Sequence, residues 1–101
     1  MKINLEEIEI KIKLSEKPNL RATAVISFGD ITVKGFRISV SEHENENMQG
    51  EKIYLQPPSY RAGRGYQKLV FINDKDKWIE IEKLVFKEYQ KVKDDENLWV
   101  D

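Results

Sequence analysis

Arg61, Arg64 and Lys68 fall within eight residues, interleaved with Tyr60 and Tyr66, and no acid occurs between Lys52 and Asp74. Guanidinium groups neutralise phosphates and donate to them in a fork; tyrosines stack on unpaired bases or hydrogen-bond a nucleic-acid backbone. These residue types, in a segment kept open by Gly63 and Gly65, suit an anionic polymer. The plainer reading is a mobile loop whose tyrosines pack on the domain edge. A second basic series, Lys83, Lys87 and Lys91, recurs every fourth residue and forms a ridge on a helix. Glu80 and Glu88 stand within reach, so that ridge reads as a solvated face.

Other chemistry finds no footing. His43, the single histidine, lies in an acidic stretch with no cysteine or second histidine, and reads as a solvated residue. The absence of cysteine excludes disulfides, thiolate metal sites and a cysteine nucleophile, and fits a reducing compartment. Glu42, Glu44 and Glu46 offer carboxylates, but without the ligand spacing, glycine and terminal glutamate of an EF-hand. The run from Arg61 to Tyr66 has phosphate-loop glycines without the GxxxxGK pattern or its strand-to-helix setting. No GxSxG, HExxH or kinase signature occurs. The sequence thus predicts no enzyme, no cofactor and no metal.

The net charge of −1 conceals a segregation. Residues 41–51 hold four acids and no Lys or Arg, and residues 94–101 hold four more. With those eight set aside, ten acids face seventeen bases, leaving a body with a surplus of seven positive charges. A basic body with acidic appendages points to an anionic partner.

The candidate residues need elements to present them. Ile8, Ile10, Ile12 and Leu14 alternate with Glu7, Glu9, Lys11 and Lys13, the pattern of a strand with one buried face. After a turn at Ser15–Asn19, a second strand runs from Leu20 to Phe28, with Leu20, Ala22, Ala24, Ile26 and Phe28 on one face. Gly29-Asp30, glycine first, suits a type II′ hairpin. In the third strand, Ile31 to Val40, the apolar phase shifts from Ile31 and Val33 to Phe36, Ile38 and Val40. One extra residue repairs it, which predicts a β-bulge near Lys34-Gly35 and puts Arg37 and Ser39 opposite Phe36 and Ile38.

Residues 41–51 read as an acidic loop, and Lys52 to Gln56 as a short strand stopped by Pro57-Pro58. Residues 59–65 read as a flexible basic loop and 66–72 as a further strand. Asn73 to Asp76 supply N-cap candidates for a helix from about Lys77 to Lys93, whose stripe is Trp78, Ile81, Leu84, Val85, Tyr89 and Val92. The expected fold is α+β: an antiparallel sheet of four to five strands followed by one C-terminal amphipathic helix. A single domain covers residues 1–93, with an acidic tail over residues 94–101. One helix covers only part of such a sheet, so an open edge or face predicts a homodimer.

Four segments in order resemble the stage V sporulation protein G family, the bacterial septation and sporulation regulators. The family shows RAxASITxxD, a segment close to FVVxDIRVI, a strand ending in MPSKR, and a helix of the type IxxAVLxEY. This chain carries RATAVISFGD over residues 21–30, ITVKGFRISV over 31–40, YLQPPSYR over 54–61 and IEKLVFKEY over 81–89. The resemblance implies an antiparallel sheet with a C-terminal helix, a homodimer, and DNA and RNA binding in gene regulation. Arg37 falls on the arginine of the DIRV segment; Ser59 and Arg61 fall on the PSKR loop, where the family's basic binding residues cluster. Tyr60 stands where the family has lysine, shifting the loop from charge toward stacking, and the acidic stretch 41–51 is longer than its counterpart.

The expected function is a DNA- and/or RNA-binding regulatory protein of gene expression or septation, using Arg37, Ser59, Tyr60, Arg61, Arg64 and Lys68. The competing expectation is a protein-interaction module built on an open sheet edge or the acidic stretch 41–51. No apolar run approaches the ~20 residues of a membrane span, and the N-terminal residues lack a secretory h-region, so a cytoplasmic location is expected.

Overall fold

A computed structural model describes residues 5–70 and 72–98. Strands β1 (Glu9–Leu14), β2 (Leu20–Ser27), β3 (Thr32–Asn45) and β4 (Glu51–Gln56) form one antiparallel sheet in the order β1-β2-β3-β4. Strands β5 (Ser59–Ala62) and β6 (Gly65–Lys68) form a separate two-stranded sheet, and helix α1 runs over Lys75–Leu98. The α+β expectation is met. The fifth strand expected over 66–72 is instead β6 of the hairpin, followed by irregular chain, and Phe71 lies outside the described residues.

Period-two alternation writes the core onto one side of the sheet. Leu14, Ala22, Ile38 and Leu55 pair in register across all four strands; Ile12, Ala24 and Phe36 form the next row, and Ile10, Ile26 and Val33 the one after. Ala22, Ala24, Ile26, Phe36 and Ile38 are sealed from solvent in one cluster with Ile81, Val85, Phe86 and Tyr89 of α1. The two small alanines at the sheet centre leave room for the bulkier helix side chains. Such close packing makes even single-methylene changes costly. Phe86 joins this core although the expected stripe omitted it.

The predicted turn and bulge are both present. Gly29 adopts φ +95° between β2 and β3, with the Phe28 N–H donating to the Ile31 carbonyl at 2.7 Å. Val25 pairs with Lys34 but Ala24 with Phe36, so Gly35, at φ +99°, is the extra residue. That left-handed backbone favours glycine, and a Cβ there would also meet Pro58 at 3.4 Å.

Three segments depart from expectation. A second register shift makes Arg21 the extra residue of β2 and sets Leu20 opposite Ser39, outside the core cluster, although Leu20 is buried. The stretch 41–51 is not simply a loop. β3 continues to Asn45, a 3-10 turn follows over Glu46–Met48, and Met48 is fully buried in the core. The helix begins at Lys75 and extends to Leu98, so residues 94–98 are helical rather than a frayed tail. Asp74 caps it, its carboxylate accepting from the N–H groups of Asp76 at 3.0 Å and Lys77 at 3.2 Å.

Candidate nucleic-acid interface

The β3–β4 ladder runs as far as Arg37 opposite Gln56, and the next two residues of β4's chain are prolines. Neither proline has an N–H to extend the ladder, so the chain leaves the sheet and turns back on itself. Ser59 pairs with Lys68, Tyr60 with Gln67, Arg61 with Tyr66 and Ala62 with Gly65. The expected flexible loop is therefore a hairpin, with Gly63 at φ +61° and Arg64 at its turn. At its base the Leu69 N–H donates to the Pro58 carbonyl at 2.7 Å, and the Ser59 hydroxyl donates to the Pro57 carbonyl at 2.9 Å.

This geometry sorts the candidate residues. Strand alternation puts Ser59, Arg61 and Lys68 on one face of the hairpin and Tyr60 on the other, half-exposed at 50%. Arg61, Arg64 and Lys68 are all exposed. Ser59 spends its hydroxyl on Pro57, which makes it a residue that fixes the hairpin's base. Arg37 lies elsewhere, on the four-stranded sheet beside Gln56.

The sequence reading missed what accompanies Arg37. Register joins Lys13, Thr23, Arg37 and Gln56 in a single row across the side of the sheet that α1 does not cover, and Lys11, Val25 and Lys34 form the neighbouring row. Ser39 and Tyr54 follow on the same side. Four bases thus converge on two adjacent rows. The alternation of Lys11 and Lys13 with isoleucines was visible in the sequence, but strand order was not.

Electrostatic context separates Arg37, Arg61 and Arg64 from Lys83 and Lys91 of the helix. Lys83 pairs with Glu80 at 3.7 Å and Lys91 with Glu88 at 3.4 Å, both on exposed turns of α1. Among the described residues, no acid partners Arg37, Arg61 or Arg64. The exposed acids Glu42, Glu44 and Glu46 sit on the far part of β3 and the turn beyond it. His43 is exposed there, its N–H donating to the Ser41 hydroxyl at 3.1 Å. Among the described residues no cluster of His, Asp and Glu forms that could hold a metal ion, and no helix is long and apolar enough to cross a membrane. No protein-family model matches the chain, and neither a curated protein nor a solved structure matches it, so the family resemblance rests on the four segments themselves.

Proposed function

We propose that this chain is a nucleic-acid-binding regulatory protein of the stage V sporulation protein G type, acting as a homodimer on DNA or RNA. Control of gene expression or septation would follow from that binding. The observation that carries the reading is the hairpin. It projects Arg61 and Arg64 into solvent with no acidic partner among the described residues, while the acids are gathered on other elements. Unpaired guanidinium groups on a hairpin lose little on meeting phosphate, because no internal ion pair has to break.

The test is a fluorescence-anisotropy titration of the whole chain against mixed-sequence single-stranded RNA, single-stranded DNA and duplex DNA at two salt concentrations. Micromolar or tighter binding that weakens with salt is expected, each engaged phosphate contributing about −0.9 to the log–log salt slope on duplex DNA. Absence of binding to all three at low salt would overturn the reading.

A second reading draws on the two open edges of the main sheet. Among the described residues β1 and β4 each pair on one side only, and such edges add strands from a second chain. The homodimer would use one of them. Capture of a protein partner, lost when the exposed Glu42, Glu44 and Glu46 are replaced by glutamine with Met48 and Asn45 left in place, would favour the interaction module instead.

A further inference from the structure

The side of the main sheet that α1 leaves open is not flat. At the end where the bulge at Arg21 displaces Leu20, a shallow groove of ≈ 430 Å³ opens, with Lys17 and Asn19 on one wall and Arg37, Ser39, Tyr54 and Gln56 on the other. That volume lies within the range of about 300–1,000 Å³ usual for small-ligand clefts. Leu20, buried yet outside the main core, gives it an apolar base. Tyr54, 42% exposed, is the aromatic residue among those that line it. None of the lining residues is acidic.

We propose that this groove receives one unpaired base of a single-stranded nucleic acid. Tyr54 stacks on the base, Arg37 and Lys17 hold the flanking phosphates, and the amides of Asn19 and Gln56 meet the base edge. The inference deepens the nucleic-acid reading, on which it rests, and assigns the strand form. Charge complementarity selects a polyanion, because Arg37 belongs to the rows that also carry Lys11, Lys13 and Lys34. The exposed ring beside an apolar base selects an unpaired base, since bases inside a duplex present no π-face to a side chain. Aromatic stacking platforms flanked by cations are the general means of holding single strands. A backbone running from the groove along these rows passes Lys13, Lys34 and Lys11 before it reaches Glu9 in the row beyond.

The test uses the whole chain with a dT12 strand, an rU12 strand and a 12-base-pair duplex, and the variants Tyr54→Ala, Tyr54→Phe and Arg61→Ala. Tyr54→Ala is expected to weaken single-strand binding about five- to a hundredfold and duplex binding little, while Tyr54→Phe, which keeps the ring, retains affinity. Equal losses with dT12 and rU12 assign the groove to the base; a loss confined to rU12 narrows the ligand to RNA and supports the same site. If the wild type binds single strands or duplex and Arg61→Ala weakens it, yet Tyr54→Ala does not, the groove proposal falls while the hairpin reading stands. If the wild type binds none of the three, both fall. If Tyr54→Ala dissociates a dimer in sedimentation with single-strand affinity per protomer unchanged, a second copy occupies the face and the proposal is overturned.

Discussion

Along the central strands of the main sheet, neighbouring residues do opposite work. Ala22, Phe36 and Ile38 are sealed in the core with α1, while Thr23 and Arg37, one position away, belong to a row with Lys13 on the side that α1 leaves open. Burial under the helix disfavours an unpaired charge, because an ion costs several kcal/mol to desolvate, and the buried Glu82 of α1 is met by the Asn45 side-chain amide. The open side tolerates charge, and there Lys11, Lys13, Lys34 and Arg37 stand in two adjacent rows, with Glu9 in the row beyond Lys11. The difference teaches that stability and binding are written on alternate residues of the same strands, so substitutions should separate them cleanly.

The largest effect is expected at Phe36, which is fully buried. Phe36→Ala should cost about 3–5 kcal/mol in urea unfolding, a large part of the 5–15 kcal/mol typical of a whole domain. The next is Asn45, whose side-chain amide donates at 3.2 Å both to the carboxylate of the buried Glu82 and to the Ile53 carbonyl, and whose oxygen accepts from the Asn47 N–H at 3.0 Å. Asn45→Ala leaves that carboxylate without its partner and should cost about 1–3 kcal/mol in the same measurement. Arg37→Ala, next to Phe36, is expected to change stability by less than about 0.5 kcal/mol while flattening the salt slope of nucleic-acid binding by about one unit. A large stability loss at Arg37 would break the division between the faces. Lys83→Ala should do least, changing stability by under about 0.5 kcal/mol and leaving binding unchanged, since Lys83 is an exposed, already paired base.

Positions governed by local rules were readable in advance. The Gly35 bulge followed from a phase slip within one strand, the Gly29 turn from a glycine between two strands, and the run Asn73 to Asp76, from which the structure selects Asp74 as the cap, from the start of an apolar helical stripe. The hairpin bases Arg61, Arg64 and Lys68 were legible as a cluster because they are close in sequence, although β5 and β6 were read as loop and strand. What escaped lay in longer-range pairing. Residues 41–51 are polar enough to read as loop, yet β4 supplies a partner at Asn45 and the core accepts Met48. Leu20 fits the apolar alternation of β2, but the extra residue at Arg21 moves it to the other side.

The sequence by itself determined the fold class, the helix and its cap, the faces of most strands and the separation of acids from bases, because period, propensity and composition act over a few residues. Only the tertiary structure decided that Lys11, Lys13, Lys34 and Arg37 share adjoining rows, and that Tyr54, Arg37 and Leu20 line one groove. Alternation fixes which way a side chain points. Strand order and register, set by burial across the whole sheet, fix which side chains it meets.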